Sequence, residues 1–350
     1  MAYSSIIKPT DYFNTKLYTG TGSAQSITGV GFQPDFVWIK NRSATFNHQI
    51  NDAVRGVNKQ IAPNNTNAQE TNTGELTAFG SDGFTVGSGG TLNGNGNNIV
   101  SWNWKAGTTS GITTNGATVT TPSSYSFNQT AGLSILQYTG TGVTNNKLAH
   151  GLGVKPDFII FKKTSGDINW GIYHQSLTAD YRLLFNTAAQ SDDDSFMQDS
   201  EPDSVNINLG YGGLNNASGA TYIAYCFAEK TGFSKFGSYI GNGSTNGTFT
   251  YTGFKPAFVM VKYASPGGGV GNWGIFDSVR NPANVVDKGL LANTNAAEDT
   301  SDFIDILSNG FKQRSSSSNR NENGSTYVYM AFAEHPFTAN VDGGLPTTAR

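Results

Sequence analysis

Cysteine is almost absent. Cys226 is the single one in 350 residues, so no intrachain disulfide can form. Charge is also scarce: Asp, Glu, Lys and Arg make up 13 %, about half the usual share. The formal net charge is −3 and no basic cluster occurs, which argues against nucleic acid as a partner. No apolar run approaches the roughly 18 residues that a membrane helix needs, so no membrane insertion is expected. The first residues, MAYSSIIKPTDYF, lack a basic segment followed by an apolar one. A signal peptide is therefore not expected, and synthesis in a cytoplasm is.

Signatures of chemistry are missing as well. The four histidines, His48, His150, His174 and His335, show no metal-ligand spacing, so neither metal nor cofactor is expected. There is no G-x-S-x-G elbow and no Walker A loop, and no local pattern singles out a carboxylate pair. The many G-x-G triplets have no helical pattern after them and read as hairpins rather than phosphate cradles. No catalytic residue can be named, and the expectation is a protein that is not an enzyme. One acidic segment, residues 192–203, lacks the Gly and Glu placement of an EF-hand and reads as a solvated loop, with calcium binding a distant second.

What fills the chain instead is Gly, Asn, Ser and Thr, with 22 Phe and 15 Tyr. Turn formers are abundant, helix formers are few, and the aromatic bulk suffices for real cores. The fold class expected is all-β.

A phrase recurs. PDFVWIK begins at Pro34, PDFIIFK at Pro156 and PAFVMVK at Pro256. Upstream of each stands Y-x-G-x-G, at Tyr18, Tyr138 and Tyr239. Downstream, NHQIND at Asn47 matches NWGIYH at Asn169 and NWGIFD at Asn272. NTNAQE at Asn65 then matches NTAAQS at Asn186 and NTNAAE at Asn293. SDGF at Ser81 matches SNGF at Ser308, an element the middle copy lacks. Each copy closes on a strand-like phrase, NIVSWNWKAG, YIAYCFAEK or YVYMAFAEH. The spacing is domain-sized, since solenoid units run to roughly 20–50 residues.

The order implies an attachment arm over 1–17, repeats over 18–107, 131–232 and 233–337, a Thr/Ser/Gly-rich linker over 108–130, alone or with one extra strand, and a polar tail over 338–350. Each repeat is expected to be an antiparallel, jelly-roll-like β-sandwich of about 100 residues. The continuous apolar run Phe36–Ile39 fits a central strand covered on both faces, with the following lysine snorkelling at the rim. In the closing phrases Val100, Trp102 and Trp104 share one face, as do Ile223, Tyr225 and Phe227, then Val328, Met330 and Phe332. Cys226 falls on the opposite face as a small buried hydrophobe. NTNAAE is expected to open one helical turn.

Five residues stand out as contacts for a glycan or partner. Trp170 and Trp273, each within NWGI, could stack on sugar rings. Asp52 and Asp277 begin D-x-x-R with Arg55 and Arg280, and His174 holds the same slot in the middle copy. For that slot an internal ion pair is the plainer reading and a ligand contact the sharper one. His48 aligns with the two tryptophans, so its position calls for a flat ring.

Taken as a set, YTGTG, GFQPDFVWIKNR, DAVRG, SDGFTVG, WNWKAG, GFKPAFVMVK and YVYMAFAEHPF resemble tail-fibre-like or virion structural proteins of marine and freshwater bacteriophages. The resemblance covers nearly the whole chain. It implies a virion protein assembled in the bacterial host cytoplasm and released by lysis. Its partners would be other virion proteins, copies of itself (a homotrimer first) and host surface glycans. Host attachment is the implied role, capsid decoration the alternative, and glycan depolymerisation a third. No coiled-coil heptads or collagen-like repeat of a long fibre are present.

Overall fold

The apolar runs beginning at Phe36, Phe158 and Phe258 each lie inside a sheet, buried on both faces. A computed structural model describes residues 4 and 6–336, apart from 113, 115–118, 188–189, 193–195, 211, 266–270 and 301–302, and without the side chains of 190–192 and 336. The polar tail 338–350 lies outside the described residues.

The architecture is all-β and, with one exception, antiparallel. Three large sheets repeat one strand order. In the first, Phe13–Thr19 pairs with Asn98–Trp104, which pairs with Phe36–Asn41 and then Gln49–Asp52. In the second the same order runs Leu133–Thr139, Thr221–Phe227, Phe158–Lys163, Gly171–His174. In the third it runs Ser234–Ile240, Thr326–Pro336, Phe254–Tyr263, Gly274–Asp277. Over each large sheet lies a small one, led by Gln25–Thr28 with Gly83–Val86, by Asn146–Ala149 with Asn206–Leu209, and by Phe249–Tyr251 with Gly310–Gln313. The result is three sandwiches.

Period-two alternation sends alternate side chains to two different cores. Val37, Ile39 and Ile99 meet the first small sheet, Cys226 the second, and Val259 and Val261 the third. The other parity of all three large sheets enters one common core. Trp104, Phe227 and Phe332 occupy the same place on their closing strands and meet there. Their ring centroids are 6.3, 6.0 and 5.5 Å apart, so they mark a pseudo-threefold axis. Burying such a ring contributes on the order of 2–3 kcal/mol.

The opening turns show why Y-x-G-x-G recurs. Tyr18, Tyr138 and Tyr239 donate their hydroxyls to the carbonyls of Leu92, Asn215 and Arg320. The next residue in each case is a fully buried asparagine, Asn93, Asn216 or Asn321, whose Oδ1 accepts the amide of Thr21, Thr141 or Asn242. A Cβ on the first glycine (Gly20, Gly140, Gly241) would lie 2.2, 2.4 or 2.2 Å from a backbone oxygen. The second glycine takes φ of +71°, +66° or +68°.

Several expectations need correction. Residues 13–17, expected within the attachment arm, belong to an edge strand, and Phe13 and Ile6 are buried in the common core. The 108–130 linker carries not one extra strand but two: Ser124–Asn128, which extends the second large sheet, and Val119–Thr120, which pairs in parallel with Asn146–Ala149. The middle copy lacks the SDGF turn but keeps the strand, as Asn206–Leu209. NTNAAE forms no helical turn, because Asn293 Oδ1 accepts the amide of Trp273 rather than capping its own segment. In the first copy the residue doing this is Asn64, not Asn65, so the alignment shifts by one. The lysines do not snorkel: Lys40, Lys162 and Lys262 are fully buried.

Candidate functional site

All five residues picked as contacts are inside the molecule. Trp170, Asp52 and Asp277 are 0 % exposed, His174 1 % and Trp273 2 %, so none can face a glycan. They build the joints between sandwiches, and each joint passes from one sandwich to the next around the axis.

The flat-ring position shows the pattern first. His48 Nδ1 accepts the indole N–H of Trp38, which leaves Nε2–H to donate to the Leu291 carbonyl of the third sandwich. Trp170 Nε1 donates to Asn65 O of the first sandwich, and Trp273 Nε1 to Leu184 O of the second. The lysines sit nearby. Lys162 and Lys262 lie over these indoles at 5.7 and 5.9 Å, and Lys162 Nζ reaches Thr66 O across the joint. Burial pushes the amines down, Lys40 and Lys162 to about 8 and Lys262 to about 7.

The D-x-x-R slots are buried ion pairs. Arg55 Nε and Arg280 Nε each lie 2.5 Å from their aspartate. Each aspartate also accepts from a closing strand one sandwich on: Asp52 from the Tyr225 hydroxyl, Asp277 from the Trp102 indole. Glu298 braces the second pair by bonding both Arg280 and Arg42. Burial raises its carboxyl, but the two guanidinium groups hold it below the ordinary glutamate range. The middle slot differs at all three points. His174 replaces the acid, Leu177 stands where the arginine would be, and Met330 stands where the donor would be. An aspartate there would be a buried charge without a partner. His174 instead accepts the Ser176 amide at Nδ1 and donates Nε2–H to Tyr329 O.

Among the described residues no group of three His, Cys, Asp or Glu side chains could hold a metal. Part of the acidic segment, residues 193–195, lies outside the described residues. Of the remainder, Glu201 is engaged by Lys155, Tyr173 and the Ala179 amide, and Asp203 by the amides of Val205 and Asn206.

An open site exists elsewhere, on the first sandwich. A cavity of about 310 Å³ is lined by Phe46, Asn47, Gln49, Gln60, Glu70 and Asn72, among others. Gln49 is 4 % exposed, yet its Oε1 finds no hydrogen-bond partner, and neither does the buried Oε1 of Gln60. Gln60 Nε2 donates to Glu70, whose other oxygen takes the Asn67 amide. A second cavity of about 310 Å³, beside Asn169, Arg182 and Asn215, occupies the corresponding place on the second sandwich. A third opening, of about 470 Å³, adjoins Asp35. That carboxylate is already satisfied by the Ala106 amide and the Ser126 hydroxyl.

Sequence reasoning missed Gln49, although a signal was present. Gly171 and Gly274 hold its place in the other copies, and both are glycine for a steric reason. A Cβ at Gly171 would lie 2.5 Å from the Phe196 ring, and one at Gly274 would lie 2.1 Å from the Arg320 guanidinium. In the third sandwich Arg320 fills the corresponding space, bonded to Asn272 O and Asn319 O. The cavities of the first and second sandwiches thus differ in their walls, Gln49 lining the first and Phe196 the second.

No curated protein and no solved structure matches the chain. Residues 8–336 match the family described as a domain of unknown function (DUF7483), and the chain belongs to that family.

Proposed function

We propose that this is a non-enzymatic bacteriophage virion surface protein that attaches to the host cell surface through glycans. The observation that carries the reading is the open cavity on the first sandwich, lined by the polar side chains of Asn47, Gln49, Gln60 and Asn72 with Phe46 at its wall. Amide-lined clefts with an aromatic wall suit hydroxyl-rich ligands. The repeated motifs are spent on turns and joints between sandwiches, which suits a rigid display body. The resemblance to virion proteins supplies the setting.

One observation favours the alternative, a capsid decoration protein. Phe249, Tyr251 and Ile240 are 45, 54 and 54 % exposed on an edge of the third sandwich. Ser26, Thr28 and Thr19 stand at the corresponding places of the first. An apolar edge strand is a surface for a neighbouring protein. Gold-labelled antibody on intact particles of the encoding phage separates the readings. Label at the tail end supports attachment, label over the head supports decoration, and unlabelled particles remove the virion setting.

A further inference from the structure

We infer that the open edge strand Phe249–Tyr251 of the third sandwich is the docking site of the chain's own tail, residues 337–350. The tail adds to it as a further strand through residues 337–341. This goes beyond both functional readings and rests on neither.

The strand is unfinished on one side. Thr248 O accepts the Gln313 amide and the Thr252 amide donates to Asn309 O, both toward the neighbouring strand Gly310–Gln313. Bonding direction alternates along an antiparallel strand, so the amides and carbonyls of Phe249 and Tyr251 point to the open edge. Their side chains share the outer face and are exposed, the Phe249 ring beside Gly310 and the Tyr251 ring beside Gly253. In the first sandwich Ser26 and Thr28 hold these places, and an open polar edge costs little. In the second sandwich the corresponding strand, Asn146–Ala149, is closed by the chain itself. Val119–Thr120 pairs along it, and Asn146 Nδ2 donates to the Thr120 hydroxyl.

The tail starts beside the third edge. Phe254 pairs with Pro336, and Tyr251 stands three residues before Phe254 across a turn whose amides, Thr252 and Gly253, both donate to Asn309 O. One strand spacing and three extended residues put Pro336 within about 15 Å of Tyr251. The chain beyond Pro336, residues 337–350, spans roughly 46 Å when extended. Within it Phe337, Ala339 and Val341 alternate with Thr338 and Asn340, the period of a strand with one apolar face. Running back from Pro336 along the open edge, the tail pairs antiparallel to Phe249–Tyr251 and lays that face beside the two rings. A segment tethered this close reaches a millimolar effective concentration, ahead of a strand from a second molecule. Such cover leaves the decoration reading without the edge that favours it.

The test is amide hydrogen exchange of the full chain, read residue by residue, with Asn146–Ala149 as the internal reference. The amides of Phe249 and Tyr251 should be protected. Ala339→Pro, which removes a backbone donor from the tail, should speed their exchange at least tenfold and leave the reference strand unchanged. Phe249→Ser with Tyr251→Thr, which installs the residues of the first sandwich, should in turn speed exchange of the tail amides 338–341 at least tenfold. Open-strand exchange at Phe249 and Tyr251 in the parent chain, protection that Ala339→Pro leaves intact, or tail amides indifferent to the double substitution would each overturn the inference. Protection that rises with protein concentration would overturn it as well, and would assign the edge to a second copy.

Discussion

At the scale of single residues, the middle joint shows how three positions change together. Where the neighbouring strand offers Tyr225 or Trp102, the slot is aspartate with an arginine three residues on. Where it offers Met330, the slot is His174 with Leu177. His174→Asp alone should therefore cost about 3–5 kcal/mol of unfolding free energy in urea, by leaving a buried charge unpaired. Adding Leu177→Arg should recover at least half. A single substitution that costs under 1 kcal/mol would break the argument. The same histidine predicts a pH dependence. Burial pushes His174 down to about 4, against 6.5 in the unfolded chain. Between those values the unfolded chain binds a proton that the folded one does not, so stability is lost as pH falls from 6.5 to 4. His174 supplies about 3 kcal/mol of that loss. His48 and His150 shift in the same direction. His174→Gln should flatten the curve over this window, and an unchanged slope would show that the imidazole is not held neutral. The slot's ion pairs were legible as D-x-x-R, but their burial was not. Sequence marks a tryptophan or a carboxylate without saying which face of the molecule it serves, and here the joints claimed both.

At the scale of elements, the recurring phrases were read well where period-two alternation carried the signal. The closing strands present Trp102, Tyr225 and Met330 to one core as expected, and Cys226 to the other. Asparagine escaped that reading. Asn93, Asn216 and Asn321 each clip an opening turn, yet their type is so common in this chain that no pattern set them apart. The aspartate of PDF has a local role as well. Asp35 and Asp157 accept the amides of Ala106 and Glu229, just beyond the closing strands. The third sandwich has Ala257 instead, and there the closing strand runs on through Pro336 against Phe254–Tyr263, with a bulge at Pro256. Asp35→Ala should cost about 1–3 kcal/mol by stranding the Ala106 amide and the Ser126 hydroxyl. Chemical denaturation checks this, and an unaltered midpoint would mean that water replaces the carboxylate.

At the scale of the whole molecule, triplication does something the sequence alone did not disclose. Tandem sandwiches were expected, each with its own core. Each sandwich keeps such a core, and the described residues turn the other face of every large sheet to a shared one, closed by Trp104, Phe227 and Phe332. Each sandwich by itself would expose rings such as Phe158, Trp170 and Phe227 that the others now cover, and residues 131–232 expressed alone should aggregate. A continuous apolar run such as Phe36–Ile39 predicts that both faces are covered but not by what. Differential scanning calorimetry of the intact chain decides whether the three sandwiches are one body. A shared core predicts a single transition with equal calorimetric and van't Hoff enthalpies, about 230 kcal/mol near 60 °C for a unit of this size. Separable transitions, or a van't Hoff enthalpy near the roughly 75 kcal/mol of one sandwich, would contradict it.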